Sequence, residues 1–185
     1  MKTATEATTA TVLETRTLTR VGMLAGVAFM LMYLEFNLPG FPTWLQYDPS
    51  EVITLIGGFA MGPVAGALAV VTKSAIFFLS GKDEAGWIGT LAALFTGLSY
   101  VVSASLVYRY WRTMLGAIVA LAVGIVASAA VMAVANYFFF LPLWGVPTEA
   151  LLPTVKITTS FNLIKGVVNS LLVFLLYKKV RVILQ

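Results

Sequence analysis

Residues 52–80, "VITLIGGFAMGPVAGALAVVTKSAIFFLS", decide the fold. The stretch is long for one membrane crossing, which takes roughly 20 apolar residues, and short for two. Met61-Gly62-Pro63 resolves the mismatch. The residue before a proline is pushed out of the α region, while a proline suits the first position of a new helix. The sequence therefore predicts two short helices broken at Gly62-Pro63, tilted or shielded by their neighbours. Without the break, every charge further along the chain would fall on the wrong side of a bilayer.

Working outward, further apolar runs predict a first span over about Thr17–Leu38, a fourth over Trp87–Tyr108, a fifth over Met114–Tyr137 and a sixth over Ser160–Tyr177. The segment "FPTWLQYDPSE" reads as an interfacial loop, and "FFFLPLWGVPTEALLPTVK", with three prolines, as a structured external loop. Residues 1–15 are polar and threonine-rich, which predicts a flexible cytoplasmic tail ahead of one six-helix domain over 16–185. No signal peptide is evident.

Composition supports an integral membrane protein. Of the 185 residues, 59% are hydrophobic and 11% charged, against about 45–50% and 25% for a soluble domain. The chain has no cysteine and no histidine. Disulfides, thiol nucleophiles, histidine bases and the usual zinc or haem ligands are thereby excluded. With the N-terminus inside, Lys2, Arg16, Arg20, Arg109, Arg112, Lys178, Lys179 and Arg181 fall on the cytoplasmic side, against Lys82 and Lys156 outside. That bias matches the positive-inside rule. Asp48, Glu51, Asp83, Glu84 and Glu149 all fall outside.

Two lysines remain within spans. Lys165 lies three residues after Asn162 in "FNLIKG", so the two share a helix face. An amide and an ammonium side by side can read a ligand that bears carbonyl oxygens and ring nitrogens. Snorkelling of Lys165 to the headgroups is the plainer alternative. Asn169, deeper on the same face, suits a helix–helix hydrogen bond. Asn136 opens the aromatic run "NYFFFLPLW", and an asparagine at a span end often only caps a helix. Its neighbours Tyr137, Phe138 and Trp144, with Trp44 and Tyr47, could line a pocket for a flat heterocycle or form an interfacial belt.

Lys73, in "GALAVVTKS", sits in an apolar helix without the second glycine or the strand–loop–helix setting of a phosphate loop. Nucleotide hydrolysis is rejected. Lys73 is expected to meet an acid such as Glu51 or Asp48, or to face the outer cavity, and Glu35 is a further pairing candidate. Gly22 and Gly26, four apart, let another helix approach, whether from this chain or from a partner.

Four stretches carry a resemblance: "YDPSEVITLIGGFAMGPVAGALAVVTKSAIFFLSG", "GWIGTLAALFTGLSYVVSASLVYR", "NYFFFLPLW" and "FNLIKGVVNSLLVFLLYKK". Together they resemble the substrate-binding (S) subunits of energy-coupling-factor (ECF) vitamin transporters, over roughly Thr17–Lys179. The Gly-Pro break followed by an embedded lysine is shared across that family. The Asn-Tyr-aromatic and Phe-Asn-Leu-x-Lys runs are more particular to its riboflavin branch. The resemblance implies an all-α integral membrane protein, a bundle of six transmembrane helices with both termini cytoplasmic, in the cell membrane of a prokaryote. It implies capture of riboflavin from outside and its delivery inward with a transmembrane coupling subunit and two ATPases, without catalysis, cofactor, metal or nucleic acid.

By motif match, Asn136, Asn162 and Lys165 would bond the isoalloxazine edge, and the loop bearing Trp44, Leu45 and Tyr47 would cover it. Lys73, Gly89, Thr90 and Phe138 are further candidates. Gly22 and Gly26 match the small-residue motif that docks the coupling subunit. The chain departs from the family in having Ser74 after Lys73, and Gly86-Trp87-Ile88-Gly89-Thr90 where a Gly-Gly-Ile-Gly-Glu-like run is common. Rival readings are an S subunit for another vitamin, a self-sufficient secondary transporter, which would favour an embedded carboxylate, and an intramembrane enzyme. The last would have to rely on a pair such as Lys73–Ser74, whose side chains point apart on a helix.

Overall fold

Gly62 takes φ +97°, a left-handed value that side chains resist, and its N–H closes the preceding helix on the Gly58 carbonyl at 2.9 Å. Pro63 then starts the next helix. The expected break is present. The computed structural model describes residues 15–82 and 86–184, with residues 177–184 as backbone only. Apart from Thr15, the expected N-terminal tail lies outside the described residues, as do Asp83 and Glu84.

The helices are α1 (Thr15–Met32), α2 (Ser50–Met61), α3 (Pro63–Leu79), α4 (Gly86–Tyr110), α5 (Met114–Ala135) and α6 (Thr148–Leu184). Strands β1 (Phe36–Asn37) and β2 (Gln46–Tyr47) pair antiparallel, Phe36 opposite Tyr47, and make a small hairpin between α1 and α2. The chain is mostly helical. The segments Gly86–Tyr110, Met114–Leu143 and Thr148–Leu176 are each long and apolar enough to cross a membrane, while α2 and α3 are shorter apolar helices.

Close packing explains the glycines of the central helices. A Cβ on Gly66 would sit 2.8 Å from the Gly58 Cα and 2.7 Å from Val101 Cγ1, so α2, α3 and α4 meet where no side chain fits. Around that contact Leu55, Val70, Tyr100, Val101 and Leu121 form the main apolar core. The Thr113 hydroxyl caps α5 by accepting from the Gly116 N–H at 3.0 Å. Met23, Val126 and Leu175 point outward and are exposed, giving the bundle an apolar outer surface.

Three expected boundaries are corrected. The first helix stops at Met32 rather than Leu38, because Phe36–Asn37 pair with β2 instead of continuing the helix. The fifth runs on past Tyr137 through a π-helical turn, Asn136–Phe140, to Leu143. The last begins at Thr148, so most of the expected proline-rich external loop is helical, with Pro153 inside the helix. Pro153 sits in the second turn, where the lost backbone bond is one of few made that early in a helix.

Candidate ligand-binding site

A cavity of about 150 Å³ opens between the β1–β2 loop, α4, α5 and α6. Its lining includes Trp44, Leu45, Gly89, Asn136, Asn162 and Lys165, so six of the ten residues expected to contact ligand meet at one place. Asn162 and Lys165 come from one face of α6. Asn136 comes from the π turn, where the wider helix keeps Met132, Asn136 and Phe140 all buried while Phe139 faces out. Its amide donates to the Thr158 hydroxyl at 3.2 Å, which fixes its orientation. At the mouth, Trp44 and Trp144 meet edge to face, with centroids 5.7 Å apart. Phe41 and Phe161 meet likewise at 5.4 Å.

Other candidates lie elsewhere. Phe138 is 73% exposed on the outer surface. Thr90 is buried next to Gly89, its hydroxyl on the Gly86 carbonyl at 3.5 Å. Tyr47 is buried beneath the loop and donates to Asn169 Oδ1 at 2.7 Å. Glu35, by contrast, lines the cavity and also pairs with Lys82 at 3.5 Å. Gly22 and Gly26 face open space: a Cβ on either would meet nothing within 4 Å.

From the cavity floor downward, buried charges close into a ring. Lys165 Nζ donates to Asp48 Oδ2 at 2.8 Å and lies 3.5 Å from Glu51 Oε2. Glu51 Oε1 accepts from Lys73 Nζ at 3.4 Å. Lys73 also donates to the Ser50 hydroxyl, which donates to Asp48 Oδ1 and so returns to the start. Two cations and two anions cancel, which is how two buried lysines are tolerated. Lys73 thus meets one of the acids expected for it.

The assignment of Glu51 to a loop is corrected: α2 begins at Ser50 and carries Glu51, which is buried, while Asp48 stays in the connection ahead of the helix and is buried too. The signal was present in the sequence as two acids ahead of an apolar run that must neutralise two embedded lysines. Burial pushes the Asp48 carboxyl up, but Lys165, Lys73 and the Ser50 hydroxyl more than offset this and hold it below the usual carboxylate range. The Tyr47 phenol is pushed up to about 12, chiefly by burial. A second void of about 10 Å³, room for roughly one water, lies deeper between Glu51, Tyr100, Asn162, Lys165 and Asn169.

Fold and cavity together define a multi-pass helical membrane protein with a cavity at one end, walled by aromatics and floored by fixed polar groups. The family model "ECF transporter, substrate-specific component" matches residues 16–177. The riboflavin transporter RibU of Staphylococcus aureus (strain TCH60) is 29% identical over 173 residues, 90% of each chain. The riboflavin transporter FmnP of Bacillus subtilis (strain 168) is 28% identical over 178 residues, 91% of this chain and 94% of its own. A solved S component of a bacterial ECF transporter superposes with a TM-score of 0.82 at 30% identity, over 92% of this chain and 98% of that one. The chain belongs to the substrate-specific components of ECF transporters, and its relatives are transport proteins rather than enzymes.

Proposed function

We propose that this chain captures riboflavin from outside the cell and hands it inward with an energy-coupling module. One observation carries the reading. Asn136, Asn162 and Lys165 converge on a single cavity under Trp44 and Leu45, in a chain whose relatives are named riboflavin transporters. An amide and an ammonium supply donors for the carbonyls and nitrogens of the ring edge, and aromatic walls suit its flat face. The cavity, about 150 Å³, is smaller than the roughly 300 Å³ at which ligand pockets usually begin. Capture therefore opens the β1–β2 loop, parting Trp44 from Trp144, and closure follows.

The reading includes six membrane spans with both termini in the cytoplasm, a tail over residues 1–15, and residence in a prokaryotic cell membrane. It also includes docking of α1 on a transmembrane coupling subunit that works with two ATPases. Gly22 and Gly26 support that docking face, since nothing among the described residues requires glycine there. Titration of riboflavin against the purified protein, followed by flavin fluorescence, tests the ligand. Saturable quenching at micromolar protein, without competition from thiamine or biotin, is expected. No quenching, or equal binding of all three vitamins, ends the proposal.

A further inference from the structure

Glu51 does not line the cavity, yet it touches three polar side chains that carry or support the cavity floor. Its two oxygens face different partners. Oε1 takes Lys73 at 3.4 Å, and Oε2 lies 3.5 Å from both Lys165 Nζ and Asn169 Nδ2. Asn169 in turn accepts from Tyr47, the last residue of β2, at 2.7 Å. Glu51 is 1% exposed, as is Lys73.

Lys165 is a long, flexible side chain with three donor hydrogens. Asp48 takes one from the loop side, and Glu51 holds the ammonium from below. With only one carboxylate, the ammonium could swing toward Asp48 and the loop. Held by both, it stays in the lining of the cavity with one donor uncommitted to a carboxylate. Asp48 itself lines the cavity and belongs to the short connection between β2 and α2, whereas Glu51 is the second residue of α2 and is anchored there on Lys73 as well.

We infer that Glu51 is a positioning residue for ligand capture: through its carboxylate on Lys165 and Asn169 it aims the Lys165 ammonium into the cavity and ties that aim to the base of the covering loop. The inference rests on the riboflavin reading above. Its bland competitor is that Glu51 is only the counter-ion of Lys73. The two differ in what happens when Lys73 and Glu51 are neutralised together. As a counter-ion, Glu51 becomes dispensable once Lys73 is gone. As a positioning residue, it is missed regardless.

The experiment compares wild type, E51Q, E51D and E51Q/K73M as purified full-length chains, with helical circular dichroism and gel-filtration elution confirming folding. Riboflavin affinity is read by fluorescence quenching and the bound flavin by its absorption band. E51Q should bind at least about tenfold more weakly, the scale seen when a group orienting a binding residue is removed. Its bound-flavin band should move in the direction produced by K165M. E51D, which keeps the charge, should recover part of the affinity.

E51Q/K73M should stay as weak as E51Q, and because its ring is electroneutral it remains informative even where E51Q fails to fold. Affinity within about twofold of wild type, in folded E51Q or in E51Q/K73M, overturns the inference while leaving the riboflavin reading intact. A wild-type chain that quenches no flavin sinks that reading instead. Glu51's hold on Lys165 is then judged by mass-spectrometric labelling with an amine-acylating reagent. Lys165 should be labelled several-fold faster in E51Q/K73M than in wild type, and equal rates overturn the inference.

Discussion

Lys165 shows how little a single side chain discloses until its partners are known. A cation and an amide one turn apart already pointed to a polar cavity, because neither belongs against lipid. The geometry adds that Lys165 is neutralised from two sides, by Asp48 at 2.8 Å and Glu51 at 3.5 Å. Replacing Lys165 with Ala should therefore do two things. Riboflavin affinity should fall about 10–100-fold, the loss of a charge-assisted hydrogen bond of about 1.5–3 kcal/mol. The folded state should also lose about 3 kcal/mol, because removing one member of a buried pair strands the others. Flavin titration and thermal unfolding in detergent separate the two losses, and Asn162→Ala should show mainly the first.

Asp48, in the ring, and Tyr47, which bonds Asn169 beside it, give the site a pH signature. Asp48 has a folded-state pKa depressed by its lysines, so its contribution to stability is present above the unfolded value of about 3.9 and is lost as pH falls below it. Tyr47 is shifted the other way, to about 12. Its contribution is complete below about pH 10 and is lost between pH 10 and 12 as the phenol ionises. Melting temperatures followed across both ranges should fall at each end. Asp48→Asn should flatten the acid limb and Tyr47→Phe the alkaline one. A wild-type protein with the same melting temperature at pH 3 and pH 6 would contradict the acid half.

Among the elements, what could be read depended on how local the cause was. The α2–α3 break follows from two adjacent residues, Gly62 and Pro63, and lies where expected. The end of α1 and the start of α6 do not follow from local sequence. Phe36 leaves the helix because Tyr47, eleven residues on, pairs with it. Thr148–Ser160 is helical because Leu151 and Thr158 are buried and Thr158 holds Asn136, which outweighs the signal of its prolines. The burial of Glu51 is of the same kind, since its partners come from α3 and α6.

The close approach of α2 to α3 is a constraint at the level of elements. Gly66→Ala should destabilise the protein by about 1–3 kcal/mol, since the neighbour met at 2.8 Å is backbone and cannot turn aside. Thermal unfolding checks it. An unchanged melting temperature would mean the helices stand further apart.

For the whole molecule, the two halves of the proposed transport act separate in space. The cavity lies beneath the β1–β2 loop, while Gly22 and Gly26 lie along α1 with open space before them. Glycine within a helix is unfavourable by roughly 0.5–1 kcal/mol relative to alanine. Among the described residues no contact accounts for two of them one turn apart. Gly26→Ala should therefore stabilise the isolated protein by about 0.5–1 kcal/mol, as reduced freedom of the unfolded chain allows.

A bulky change tests what the open face is for. Gly22→Leu with Gly26→Leu should leave riboflavin quenching by the isolated chain within about twofold of wild type, since neither side chain can reach the cavity. The same change should abolish co-purification with the coupling subunit and riboflavin uptake by cells, because two leucines fill the groove through which another helix would approach. Retained uptake would move the docking surface to another helix. Lost quenching would show that α1 and the cavity are mechanically one piece.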